Sequence, residues 1–234
     1  MLAILKREIG SYFTSPIGYV FVAVCMLTSG LFFYINSLSA GSTDLSSVFV
    51  IMFFILMIFI PVLTMRLMSE EKRQKTDQLV LTAPVGLFGL VTGKFLSAFT
   101  VYLIGIAVLP VYGVVLSFFV HISWMTLWGN VAGIILLGGV YVSLGLLIST
   151  MTENQMIAAV GSMFLNLVIF LLDALSSIIP FKILSDAFKG ISVYNRYIEF
   201  TMGIFTLSNV LFFVTFIAVL LFLTARVIER RRWA

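Results

Sequence analysis

The chain has 234 residues, 61% of them hydrophobic and only 10% charged, and its mean hydropathy is +1.16. Soluble globular domains are about half apolar and about one-quarter charged, so a water-soluble core is excluded and an integral membrane protein is implied. The formal net charge of +4 calls for no nucleic-acid partner. No segment is free to form a soluble basic face with interleaved aromatics, and basic ends can rest on anionic membrane lipids.

A membrane helix needs about 20 apolar residues. Six stretches qualify: Ile17–Ser37, Val48–Met65, Phe95–Phe118, Leu127–Thr150, Met156–Ile178 and Asn209–Val227. None alternates polar with apolar as a β-barrel strand does. The expected fold is an all-α integral membrane protein of six transmembrane helices, forming a single transmembrane domain over 1–234.

In chain order, the N-terminal stretch "MLAILKREIGSYFTSPIGYV" spaces Leu2, Ile4, Leu5, Ile9, Tyr12 and Phe13 around Lys6, Arg7 and Glu8. That pattern predicts an amphipathic interfacial helix over 1–15, ended by Ser15-Pro16 because the residue before proline resists helical angles. No small-residue cleavage site shortens the first span, so it is expected to be retained. Its single Cys25 reads as small apolar packing. Leu38–Ser47 is a polar connector carrying Asp44, and Pro61 falls late in the second span.

The charge-rich segment "RLMSEEKRQKTDQLVLTAPV" then follows. Its residues Ser69–Lys75 predict a polar turn or two of helix, with Glu71 and Lys75 spaced to pair on one face. Thr82-Ala83-Pro84 ends it, and Lys94 precedes the third span. His121 sits in a short loop beside Trp124 and Trp128, an interfacial aromatic belt. Between the fourth and fifth spans "STMTENQMIA" offers Thr152 as an N-cap, with Glu153 and Asn154 at the tip. Asp173 is the one acid inside a span, about 26 Å along its helix from Met156. A capping role and a role at an outer gate or substrate path both remain open for it. The connection over 179–208 is half apolar and predicts short amphipathic or re-entrant helices.

Eleven of the fourteen Lys and Arg fall on one side when six spans are threaded in order: Lys6, Arg7, Arg66, Lys72, Arg73, Lys75, Lys94, Arg226, Arg230, Arg231 and Arg232. Basic residues near span ends favour the cytoplasm. Both termini, 66–84 and 150–156 are therefore expected in the cytoplasm, and 179–208 outside.

Catalytic constellations are missing from the sequence. A lone His121 has no partnered nucleophile, a lone intramembrane acid cannot make an aspartyl dyad, no His, Cys or acid cluster suits a metal, and no P-loop is present. The expectation is a non-enzyme, with no catalytic residue, no metal site and no cofactor bound by this chain.

Three stretches carry a resemblance: "KREIGSYFTSPIGYV", "LTMRLMSEEKRQKTDQLVLTAPVGLFGLVTGKFLSAF" and "YIEFTMGIFTLSNVLFFVTF". Together they resemble the membrane subunits of ABC-2-type ATP-binding-cassette transporters, in the branch of permeases associated with gliding motility and nitrous-oxide-reductase maturation. The resemblance implies that 1–15 is an elbow helix, that 66–84 holds a first coupling helix and 150–156 a second coupling tip, and that 179–208 is re-entrant. It further implies a separate ATPase subunit holding ATP and Mg, a second permease copy (identical or related), and export across a bacterial inner or plasma membrane. The implied ATPase contacts are Glu70, Glu71, Lys72, Arg73, Gln74, Lys75, Thr76, Asp77, Thr152, Glu153 and Asn154. The substrate is expected to be hydrophobic or lipid-like. Where the family often reads Gly-Thr-Leu-Glu, this chain has Lys75-Thr76-Asp77-Gln78. Competing readings are a membrane scaffold or assembly factor recruiting a soluble complex, and an ATP-independent transporter, which would want charges or broken helices midway through the bilayer.

Overall fold

The computed structural model describes residues 2–42, 44–75, 86–176 and 192–232. Among these residues every regular element is a helix. Six helical stretches are long and apolar enough to cross a membrane. The expected Thr76 and Asp77, residues 78–84 and residues 179–191 lie outside the described residues.

Helix α1 spans Leu2–Thr14. It exposes Lys6 and Arg7 and buries Tyr12, as an amphipathic helix should. Ser15 adopts an extended conformation (φ −98°, ψ 157°) and Pro16 opens α2, Pro16–Phe33. Proline has no N–H to lose in a first turn, so the chain turns here from the surface helix into the first span. The buried face of α2 repeats every four residues or so: Phe21, Cys25, Ser29, Phe33. Cys25 is fully buried, in keeping with a packing role.

A π-helical turn, Tyr34–Ser39, continues α2 to the connection before the second span. There the Asp44 carboxylate accepts from Ser46 N at 2.8 Å, closing the first turn of α3, Ser46–Thr64. After a break at Met65 the chain resumes as α4, Arg66–Arg73. The third span is longer than hydropathy indicated and is made of two pieces, α5 (Leu87–Ile106) and α6 (Leu109–Ser117). The early start of α5 places Lys94 two turns inside a helix, where the sequence had suggested a flanking loop.

Helix α7, Trp124–Met151, is the centre of the bundle. It packs against α3, α4, α5, α8, α9 and α10. Two glycines allow close approaches. A side chain on Gly145 would collide with Thr64 at the end of α3, and a Cβ on Gly133 would lie 2.8 Å from Phe200 Cβ. Tyr102 of α5 is also fully buried and donates to the Ile134 carbonyl of α7.

Helix α8 spans Gln155–Ser176 and carries Asp173 in its last turn. Helix α9, Val193–Thr201, is short and buries Val193, Tyr197 and Phe200. Its Tyr197 hydroxyl donates to Phe49 O of α3 at 2.8 Å. Helix α10, Leu207–Arg232, is the sixth span. Asn209 on α10 accepts from Arg196 at 2.9 Å and donates to Glu199 at 2.6 Å, tying α9 to α10.

Candidate functional site

The break between α3 and α4 sets the geometry of the basic end. Pro61 lies one turn before it, and Met65 N still bonds Pro61 O at 2.9 Å. Past Met65 the helical ladder is interrupted, and a side chain from another helix fills the gap. Ser149, near the end of α7, accepts from Met68 N at 3.0 Å and Ser69 N at 3.1 Å, and donates to Met65 O at 3.1 Å. One buried hydroxyl thus bonds three backbone groups at the break, and Met65 O also accepts from the Ser69 hydroxyl. The close Gly145–Thr64 approach, one turn deeper, holds α7 near enough for this.

Helix α4 is strongly amphipathic. Leu67, Met68, Ser69 and Lys72 are buried, while Arg73 and the following Gln74 and Lys75 are exposed. Its charges do not pair as their spacing suggested. Glu71 does not reach for Lys75; Arg66 and Glu70 form the i,i+4 pair instead, bidentate at 2.7 and 3.1 Å. The Arg66 hydrogen bond holds the Glu70 carboxyl below its ordinary pKa, against the opposing effect of partial burial.

Glu71 points inward to Lys94 of α5. The Lys94 ammonium is 1% exposed and has three acceptors: Leu67 O of α4 at 2.6 Å, Glu71 Oε1 at 2.9 Å and Glu8 Oε1 of α1 at 3.2 Å. Arg7 Nη2 bridges the same two carboxylates from the solvent side, at 3.0 Å to Glu8 and 2.9 Å to Glu71. An ammonium has three protons and no acceptor capacity; here it donates to Leu67 O and Glu8 and forms an ion pair with Glu71. Buried charges survive only when paired and hydrogen-bonded in this way.

The result is a two-cation, two-anion cluster that joins three helices. Tyr12, one turn along α1 from Glu8, adds a fourth tie by donating to Leu63 O of α3 at 3.0 Å. Burial pushes the Tyr12 hydroxyl far above its ordinary pKa, so it stays a protonated donor.

The other expected contacts lie beside this cluster. The tip joining α7 to α8 presents exposed Glu153 and Asn154, and α4 packs against both helices that it joins. Asn154 rather than Thr152 caps α8: its Oδ1 accepts from Met156 N at 2.9 Å, while Thr152 Oγ1 accepts from Asn154 N at 3.1 Å. The chain leaves α4 through Lys75, whose φ of 55° is the only positive value at a non-glycine among the described residues. This is the position where the resembled family often has glycine, and the left-handed conformation supplies the reason.

So Arg73, Gln74, Lys75, Glu153 and Asn154 are exposed and Thr152 is half-buried, on α4 and on the tip between the two helices against which α4 packs. Glu70, Glu71 and Lys72 belong to the support beneath the exposed residues. Asp173 sits near the opposite end of α8 and is not part of this cluster. Lys94, Glu8, Arg7 and Ser149 went unremarked as site residues in the sequence. Among the described residues no cluster of His, Cys, Asp and Glu suits a metal ion.

A family model described as ABC-2 family transporter protein matches residues 33–226. The chain belongs to the ABC-2 transporter family. It is a multi-pass membrane protein and an ABC transporter permease, the transport subunit of a family that normally works with an ABC ATPase. A search of curated proteins finds no match to the chain.

Proposed function

We propose that this ABC-2 permease carries an unidentified hydrophobic or lipid-like substrate outward, driven by a separate ATPase subunit docking on the patch formed by Arg73–Lys75 and Glu153–Asn154. The observation that carries this reading is the contrast within α4. Its buried face is pinned by Lys94, Glu71 and Ser149, while Arg73, Gln74 and Lys75 at its end are exposed. A rigid charged tip on a firm base suits the transmission of force from a soluble partner, and charge complementarity orients such docking.

In this reading α1 is the elbow helix, α4 the first coupling helix, and the α7–α8 tip the second. Thr76 and Asp77 extend the first contact. The basic end faces the cytoplasm, with both termini, in a bacterial inner or plasma membrane. ATP and Mg are held by the partner ATPase. The permease works with a second copy, identical or related, and belongs to the branch of gliding-motility and nitrous-oxide-reductase permeases. Helix α9 closes the outer end as part of a re-entrant segment, supported by its packing beside Gly133 and its ties to Phe49 and Asn209. Asp173 lines the outer gate or the substrate path.

The test is co-purification and ATPase measurement with a co-expressed ATPase subunit. Reversing Arg73 and Lys75 to Glu is expected to abolish substrate-stimulated ATPase activity while the permease still folds. Unchanged stimulation in the double reversal would remove the docking assignment.

A further inference from the structure

A cavity of about 510 Å³ opens at the basic end between α1, α4 and α5, and its polar lining includes Arg7, Glu8, Ser11, Arg66, Glu70 and Lys94. Its position is set by the two adjacent spans. Ser15, also on its wall, is followed by the first residue of α2, and Arg66 follows the break that ends α3. The cavity therefore lies at the edge of the hydrocarbon, at the depth of lipid phosphates.

Its hydrogen-bonding capacity is only partly used. Lys94 is consumed by its three acceptors. Arg7 spends Nη2 on Glu8 and Glu71, and its Nε and Nη1 meet no acceptor among the described residues. Arg66 spends Nε and Nη2 on Glu70, leaving Nη1. Two guanidinium groups with unused N–H donors thus border one cavity, which is the donor set that phosphate oxygens take. With Glu71 also on the wall, the acids Glu8, Glu70 and Glu71 balance the bases Arg7, Arg66 and Lys94, so a strongly anionic ligand would meet repulsion. A ligand that carries a phosphate and an ammonium together answers both signs.

We infer that this cavity binds a phosphate ester bearing a primary amine, and specifically the headgroup of an ethanolamine phospholipid, with its phosphate on Arg7 and Arg66 and its ammonium on Glu70. A primary ammonium donates hydrogen bonds to a carboxylate, and a trimethylated choline cannot. The site should therefore discriminate between the two zwitterionic lipids. Such a lipid seats the elbow helix against α4 independently of any ATPase, so the test needs only the purified permease.

The experiment places the permease in nanodiscs of equal phosphatidylethanolamine and phosphatidylcholine, extracts it into mild detergent, and counts retained lipids by native mass spectrometry. The parent is expected to retain the ethanolamine lipid about tenfold over the choline lipid, the scale of one charge-assisted hydrogen bond. Glu70→Gln is expected to erase that preference while lipid is still retained. Arg66→Gln is expected to lose the lipid, and Arg7→Gln, at a side chain 62% exposed, to do the same with Lys94 still pairing Glu8 and Glu71. Equal retention of the two lipids by the parent, or variants that behave as the parent, would overturn the assignment. Displacement of retained lipid by millimolar inorganic phosphate would overturn it too, assigning the site to a soluble phosphate instead.

Discussion

Replacing Lys94 with Met removes the ammonium that joins α1, α4 and α5 while keeping most of the side-chain volume. Three interactions go at once: 2.6 Å to Leu67 O, 2.9 Å to Glu71 and 3.2 Å to Glu8. Breaking a buried ion pair by removing one partner costs about 3–5 kcal/mol, because the remaining charge is left uncompensated. Here Arg7 still reaches both carboxylates, at 3.0 and 2.9 Å, and its own exposure weakens that compensation. The lower end, about 3 kcal/mol, is the appropriate expectation. If α4 opens locally, this corresponds to about 100-fold faster amide exchange over its turns.

Hydrogen–deuterium exchange of the purified permease in nanodiscs reads this directly. Protection is expected to fall across Leu67–Arg73 and around Glu8, and not in α9 or α10. Lys94→Met combined with Glu71→Leu is expected to recover much of the loss, since both partners of the pair are then apolar. Exchange changing less than about tenfold at α4, with no coupling in the double variant, would refute the clamp.

Ser149→Ala leaves Met68 N and Ser69 N without their acceptor and is expected to cost about 2 kcal/mol, seen as a lower unfolding midpoint in mixed micelles. Lys75→Gly relieves a left-handed backbone and is expected to stabilise the permease by about 1 kcal/mol; a lower midpoint would contradict that reading of φ 55°. Gly145→Ala crowds Thr64 and is expected to destabilise by about 1–3 kcal/mol, with Thr64→Ala in the same chain restoring most of the loss. Asp173→Asn is expected to reduce transport at normal expression, and unchanged transport would remove Asp173 from the substrate path.

The six spans were legible because lipid demands long uninterrupted apolar runs, and hydropathy reads those without tertiary information. The amphipathic α1 and its stop at Ser15-Pro16 were legible for the same local reasons. Lys94 was not. A lysine ahead of an apolar run reads as a positive-inside flank, and nothing local says that α5 begins at Leu87 and carries it inward. Its partners Glu8 and Glu71 lie 86 and 23 positions away, beyond the reach of any helical spacing rule. Glu71–Lys75 was the pair that i,i+4 spacing offered, and it lost because Lys75 leaves the helix while Lys94 offers a buried partner. Ser149 is similarly silent, since a serine near a helix end announces nothing about a break in another helix. The resemblance did carry one hint, the glycine common at position 75, which the backbone conformation there explains.

The account rests on the exposed end of α4 and the α7–α8 tip being where an ATPase docks. A photo-crosslinking residue placed singly at Arg73, Lys75 and Glu153, with Trp124 at the opposite end as control, tests this in cells expressing the permease and its ATPase. The account predicts crosslinks to the ATPase from all three positions and none from Trp124. No crosslink from Arg73 or Lys75, in a complex that still hydrolyses ATP in response to substrate, would contradict it.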